Sequence, residues 1–365
     1  MTTINTEIAH PASTTVTIGE QAPRLLAQVA GYVGHRTAAI GLRHGLIEAL
    51  AEHAPLTPDE LSQTLELDPF YVAVWCRAAL ASGILERVQE SEAMSAPAGL
   101  GGHYVLAPHM RTLLLDTGHP AYMGGVFTVL EAPEVFERFE ASLGSGERLW
   151  WDGCSPDWIA GVAGTGTPFY TRLAPGALAQ VPGLADRLEA GCVVVDTACG
   201  SGMGVVHLAR VYPNCQIVGV DGDRHSIEQA RRRLRDAELL DRCRLVHSPL
   251  EELVLDELAT CVINNISMHE CRDIDRVCAQ VHAALEPGGW LVISDFPFPD
   301  TAEGLRSVPG QVMTGIQYFE AQIDDQLLPR SAYDELLGRQ GFTELGYFQL
   351  SPLHAVTYGR RHTSD

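Results

Sequence analysis

The sequence predicts two folded parts. A doubly wound α/β domain with a mostly parallel sheet covers residues 190–365, and a smaller, mostly helical domain covers residues 21–118. Three observations predict this. From Gly191 onward, short apolar strand patterns alternate with helical ones. The first strand runs into a glycine-rich turn, Gly200-Ser201-Gly202-Met203-Gly204, that opens a helix. Upstream, two helix-start signals lead into a pair of short strand patterns.

Residues 1–20 are polar and Thr-rich and read as a flexible tail, with neither a signal nor a transit pattern. Leu42, Leu46 and Leu50 recur at helical spacing and predict one amphipathic helix. Thr57-Pro58-Asp59-Glu60 is a capping box with proline at the first helical position. Asp68-Pro69 starts the next helix in the same way, and Gly83 is placed to end it. Ile84–Val88 and His103–Leu106 then read as a β-ribbon around a loop that carries Glu90 and Glu92. Three helices and a ribbon make a winged-helix layout. Its second capped helix holds one cation, Arg77, among Phe70, Tyr71, Val74 and Trp75. A helix that reads base edges needs Arg, Lys, Asn or Gln aimed at them, so dimerisation or packing over a substrate suits this domain better than DNA.

Residues 119–189 read as a helical linker and substrate lid, rich in aromatics. These either pack between domains or form a wall around a small organic ligand. Trp150, Trp151, Phe169 and Tyr170 are the candidate substrate contacts. Five strands follow, at Val193–Val195, Gln216–Val220, Arg244–Val246, Thr260–Ile263 and Leu291–Ser294, with helices such as Ser226–Leu234 and Ile274–Leu285 between them. Leu345–Gln349 and Ala355–Tyr358 lie too close in sequence to pair in parallel, so the sheet closes on an antiparallel strand.

Composition bounds the function. The 365 residues suffice for about two domains. Acids outnumber bases 46 to 25, for a net charge of −21, which repels phosphate backbones. Every base other than His is Arg, and the lack of Lys excludes Schiff-base, pyridoxal phosphate and P-loop lysine chemistry. Nine Cys, an odd number with no Cys-x-x-Cys pair, point to free thiols in a reducing cytoplasm and not to structural zinc. No apolar run is long enough to span a membrane. No His or Cys spacing suggests a metal site.

The chemistry centres on Val193-Val194-Val195-Asp196-Thr197-Ala198-Cys199-Gly200-Ser201-Gly202. A strand that ends in an acid, a glycine turn and a helix N-terminus let a ligand approach the backbone closely. The second strand ends in Asp221, where a carboxylate can accept from both hydroxyls of a ribose, or else cap the next helix. A nicotinamide dinucleotide and S-adenosylmethionine both fit such a site. Pyrophosphate sites use Gly-x-Gly-x-x-Gly, whereas here the spacing is Gly200-x-Gly202-x-Gly204. Asp196 ahead of the turn would repel a pyrophosphate and suits the α-amino group of S-adenosylmethionine.

Asp196-Thr197-Ala198-Cys199-Gly200-Ser201-Gly202 resembles motif I of the class I S-adenosylmethionine-dependent methyltransferases, whose catalytic domain is Rossmann-like. Pro287-Gly288-Gly289 before Trp290 to Asp295 is similar to their approach to strand five. Leu56 to Leu61 and Asp68-Pro69 extend the likeness to the dimeric winged-helix small-molecule O-methyltransferases of bacteria and plants. The resemblance implies that Asp196, Ala198, Gly200, Ser201 and Gly202 line the methionine end of the cofactor. It implies that Asp221 holds the ribose with Gly222 and Asp223 beside it, that Ser248, Pro249 and Leu250 flank the adenine, and that backbone carbonyls at Asn264 and Asn265 face the cofactor amine. Ser248 stands where the family usually has an acid. Ala198 stands where it usually has Gly, which is acceptable at negative φ. His269, in Met268-His269-Glu270-Cys271, matches the family's general base and would also touch the substrate. A neutral imidazole can take a hydroxyl proton as the methyl group arrives. The sequence assigns no acid to orient its ring.

The expected activity is methyl transfer from S-adenosylmethionine to a small organic acceptor, most simply at oxygen, by a cytoplasmic homodimer that binds neither nucleic acid nor membrane. Transfer to nitrogen or carbon, a ligand-sensing regulator that has lost catalysis, and an NAD(P)-dependent oxidoreductase are the alternatives. The last lacks a Tyr-x-x-x-Lys pair.

Overall fold

The computed structural model describes residues 16–88, 102–149 and 151–362. The first part of the expected tail, Glu90, Glu92 and Trp150 lie outside the described residues. The chain divides into two compact units, Met1–Arg111 and Thr112–Asp365. The break falls before the expected boundary at Gly118, and the segment read as a separate lid belongs to the second unit.

The first unit has helices at Ile18–Arg43, Leu46–His53, Pro58–Leu65 and Pro69–Ala81, then a ribbon of β1 (Leu85–Arg87) and β2 (Tyr104–Leu106). Four helices precede the ribbon, in place of the three expected. Leu42, Leu46 and Leu50 do not share one helix. The chain breaks at His44-Gly45, where Gly45 takes φ +71°, so Leu42 ends one helix and the other two belong to the next. Apolar spacing alone does not register such a break, because it preserves the period across the turn. The Thr57 hydroxyl accepts from Glu60 N–H at 3.2 Å, and Thr57 N–H donates to the Glu60 carboxylate at 2.8 Å. Asp68 caps the next helix through Tyr71 N–H at 3.0 Å, and Gly83 follows that helix at φ +72°. Ile47, Leu50, Leu61, Cys76, Leu85 and Tyr104 fill the core. Trp75 donates its indole N–H to Thr37 O at 2.9 Å. The first helix exposes Leu25, Leu26, Val29, Tyr32 and Val33, and the fourth exposes Phe70, Tyr71 and Val74.

The second unit is built on seven strands: β3 (Val193–Thr197), β4 (Gln216–Asp221), β5 (Cys243–His247), β6 (Ala259–Asn265), β7 (Leu285–Asp295), β8 (Phe342–Ser351) and β9 (His354–Arg361). Their order is β5-β4-β3-β6-β7-β9-β8. The first five are parallel, and β9 runs antiparallel between β7 and β8. Successive connections leave β3 in opposite directions, so a switch point opens between β3 and β6. In open α/β sheets, ligands bind beyond the strand C-termini at such a point. Helices cover both faces. One layer packs Leu173, Leu184, Leu208 and Leu234 on the sheet, and the other packs Val277, Val281, Leu336 and Leu337. Pro287-Gly288 forms a bulge inside β7 in place of a turn ahead of it, with a register shift against β6. No described helix is long and apolar enough to cross a membrane.

Candidate active site

β3 ends in Asp196-Thr197 and turns through Ala198 to Gly202 into the helix Met203–Val211. Gly200 and Gly202 take φ +51° and +80°. A Cβ on Gly202 would sit 2.8 Å from that of Ala230, so this glycine seats one helix against another. A Cβ on Gly200 would project into open space, so this stretch of backbone is exposed to a ligand. Ala198 has φ +54°, against the negative value expected. It keeps the backbone conformation that Gly favours there, at a cost of about 1–2 kcal/mol for an L-residue.

Asp221, at the tip of β4, is half-buried. One carboxylate oxygen accepts from Gly200 N–H and the other from Asp223 N–H, both at 2.8 Å. Burial pushes its pKa up. Asp223, and not Asp221, caps the helix Arg224–Asp236. Gly222 is exposed, and its carbonyl meets His247 Nε2 at 3.0 Å. Ser248 N–H donates to Asp221 O at 2.9 Å, Pro249 is exposed, and buried Leu250 begins a short turn. Ser201 is held from across the turn by Arg233, which donates to its carbonyl at 3.0 Å. Asp221, Gly222, Asp223 and Ser248 therefore meet beside the open face of Gly200.

Asp196 is fully buried, and both of its oxygens accept from the Tyr170 hydroxyl at 2.9 and 3.0 Å. Burial pushes its pKa up to about 7. Its carboxylate faces a tyrosine and not an open ligand space. A Cβ on Gly204 would strike both groups, at 2.1 Å from the Tyr170 ring and 2.7 Å from Asp196. Asn264 and Asn265 end β6 with buried side chains. Asn264 donates to Thr197 Oγ1 at 3.1 Å. Asn265 Oδ1 accepts from Ser294 at 2.6 Å, and Ser294 contacts His354, which in turn accepts from Arg172. That donor fixes the His354 proton on Nε2. Burial, then the nearby Arg172 charge, pushes the pKa of this imidazole down to about 2.

His269 lies beyond β6, after Ile266 at φ +54°, and its side chain is fully enclosed. Nδ1 contacts Asp295 Oδ2, at the end of β7, at 2.8 Å. Tyr333 donates to the same oxygen at 2.5 Å. The second Asp295 oxygen accepts from Phe296 N–H at 2.7 Å. Glu320 Oε1 stands 3.8 Å from His269 Nε2. Burial works against a charged His269, but Asp295 and Glu320 outweigh it and hold the pKa well above the usual imidazole value. Glu270 is pushed up by burial and by Glu320, and Asp325 up to about 7 for the same reasons.

Of the expected aromatic contacts, Trp151 packs 5.2 Å from Phe319, which precedes Glu320. Trp158 lies 4.5 Å from the same ring. Phe169 packs edge-on against Phe296 at 5.1 Å and tilted against His354 at 4.4 Å. Tyr170 reaches Asp196. Sequence reasoning missed Glu320, Asp325 and Tyr333. Asp295 was visible as the acid that ends β7, and its position at a strand C-terminus beside β6 was the available signal.

A family model for a methyltransferase domain matches residues 194–289. The chain is 28% identical over 175 residues to a malonyl-[acyl-carrier protein] O-methyltransferase of Xylella fastidiosa, covering 47% of this chain and 57% of that protein. It is 41% identical over 71 residues to a trans-aconitate 2-methyltransferase of Afipia carboxidovorans, covering 20% and 26%. The chain thus spans about half or less of these curated relatives. Among solved structures, human N-acetylserotonin methyltransferase in complex with S-adenosylmethionine superposes with a TM-score of 0.70 at 14% identity, covering 96% of this chain and 99% of that one. An O-methyltransferase family protein from Burkholderia thailandensis gives 0.67 at 15%, covering 96% and 100%. The fold is that of a class I-like S-adenosylmethionine-dependent methyltransferase.

Proposed function

We propose that the protein transfers a methyl group from S-adenosylmethionine to a hydroxyl of a small organic acceptor. One observation carries this reading: the Asp221 carboxylate stands beside the open backbone face of Gly200, at the C-terminal ends of β4 and β3 next to the switch point. A ribose fits that carboxylate, and the space a Cβ would occupy at Gly200 is free for a ligand. At the methionine end, Asp196 acts through Tyr170 and shapes the turn. S-adenosylmethionine would supply the sulfonium-activated methyl group. Asp221 would bind and orient the cofactor, with Ser248, Pro249 and Leu250 toward the adenine.

His269 is the proposed general base. Asp295 accepts its Nδ1–H and leaves Nε2 to take the acceptor's proton. Asp295 and Glu320 stabilise the imidazolium that results and, by holding the pKa well above its usual value, make the free-base form grow as pH rises, so turnover should increase toward alkaline pH. Asp295 is itself fixed by Tyr333, so the ring plane is set before the acceptor arrives. Tyr170, Trp151 and Phe169 would act as walls and props around the acceptor.

The exposed apolar face of the first unit is proposed to pair two copies of the chain. Co-crystallisation with S-adenosylhomocysteine tests the central reading. Its ribose should contact Asp221; a ribose bound elsewhere, or an empty turn at saturating ligand, contradicts it.

A further inference from the structure

The surroundings of His269 contain more acid than a base needs. His269, Glu270 and Glu320 each offer one ligand atom, and these atoms lie within 4.8 Å of one another. Nε2 of the enclosed His269 has no hydrogen-bond partner, and neither has Oε2 of Glu320, a residue 4% exposed. Asp325 Oδ2, buried beside them, is also unpartnered. Buried polar atoms are normally satisfied, and buried charges are paired or bind metals. Asp295 and Asp325 add to the negative charge, and Arg272 is the cation acting on Asp325.

We propose that His269 Nε2, Glu270 and Glu320 form a binding site for one divalent first-row transition-metal ion. The donor set is one imidazole and two carboxylates, which suits manganese, iron or zinc better than the all-oxygen sites of calcium or magnesium. Three protein ligands leave a coordination position open. Asp295 supports the imidazole from behind, accepting its Nδ1–H while Tyr333 holds the carboxylate. A carboxylate behind a ligating histidine fixes its tautomer and raises its basicity. A 2+ ion also balances two carboxylates that otherwise share one imidazole. The ion and a proton compete for the same Nε2 lone pair, so an occupied site cannot use His269 as a base. That consequence rests on the general-base reading; the binding itself does not.

The test is a titration of the full chain with Mn²⁺, following loss of the free-ion electron paramagnetic resonance signal. Manganese is chosen because it does not favour the thiols of this cysteine-rich chain. The wild type should bind one ion per chain. His269→Ala should lose it, and Glu320→Gln should weaken it about tenfold or more. No binding to the wild type at about 1 mM Mn²⁺ overturns the proposal. So does undiminished binding in His269→Ala. Should the variants fail to fold, Co²⁺ absorption of the wild type decides: a ligand-field spectrum of an imidazole and carboxylate set supports the site, and a spectrum of hydrated ion alone refutes it. S-adenosylhomocysteine binding, measured on the same sample, separates the two readings. Cofactor binding without metal sinks only the metal site, and metal without cofactor sinks only the methyltransferase reading.

Discussion

His269 Nδ1 and Asp295 Oδ2 meet at 2.8 Å across the ends of adjacent parallel strands, with Tyr333 closing on the same oxygen. The contact joins residues far apart in sequence because β6 and β7 pair in register as far as Asn265 opposite Ser294, one residue before Asp295. His269→Ala should therefore leave cofactor affinity near normal and lower turnover about 10²–10⁴-fold. Tyr333→Phe removes one hydrogen bond to a charged group, and turnover should fall about tenfold. Full turnover in His269→Ala at neutral pH would remove the base role.

Asp221 has one structural task that the hydrogen bonds show and one proposed binding task, and the expected phenotype follows both. Its proposed ribose contacts do not change during methyl transfer, so their loss should weaken cofactor binding about tenfold to a hundredfold with a smaller effect on turnover. It also holds Gly200 and Asp223 by their N–H groups, so Asp221→Ala should lower stability as well, by about 1–3 kcal/mol. Denaturant unfolding without cofactor isolates the second effect. Unchanged cofactor affinity in a folded Asp221→Ala protein contradicts the ribose assignment.

Asp196 predicts a pH dependence. Burial, the largest cause, pushes its pKa in the folded chain up to about 7, from an ordinary carboxylate value of 3.8. The native state therefore binds more protons than the unfolded chain between about pH 4 and 7. The stabilisation is complete below the unfolded pKa and is lost as pH rises through the folded one. Cofactor-free protein should lose this contribution between pH 4 and 7, and Asp196→Asn should flatten that part of the curve. An equal slope in wild type and variant would assign the pH dependence to other groups.

Helix Ile18–Arg43 turns Leu25, Leu26, Val29 and Val33 to solvent, and Phe70 and Tyr71 add to the exposed apolar surface of the same unit. Light scattering should give about twice the 39.5 kDa chain mass. Leu26→Asp with Val29→Asp should shift the protein toward monomer without unfolding it, since both side chains are more than half exposed. A monomeric wild type counts against pairing through this face.

Much of this architecture could be read from the sequence because local physics dictates it. The caps at Thr57 and Asp68 are set by side chains reaching backbone three residues on. The strands from Val193 to Tyr358 show as apolar runs, although all extend beyond the expected limits, because pairing and not hydrophobicity sets where a strand stops. The closeness of Asp221 to the glycine turn was readable because both lie at the C-terminal ends of strands that pair in parallel. The surroundings of His269 were not. Glu320 and Tyr333 come from helices that follow the parallel strands, and nothing in apolar periodicity states which helix end will stand over which strand end. The Arg172–His354–Ser294–Asn265 chain was hidden for the same reason: its members belong to four separate elements.

The most direct measurement is isothermal titration of the wild-type chain with S-adenosylhomocysteine and, separately, with NADPH. Asp221 beside Gly200 predicts binding of S-adenosylhomocysteine at about one molecule per chain, and because its carboxylate repels the 2′-phosphate of NADPH, no heat from NADPH. Binding of NADPH with none of S-adenosylhomocysteine would contradict the account.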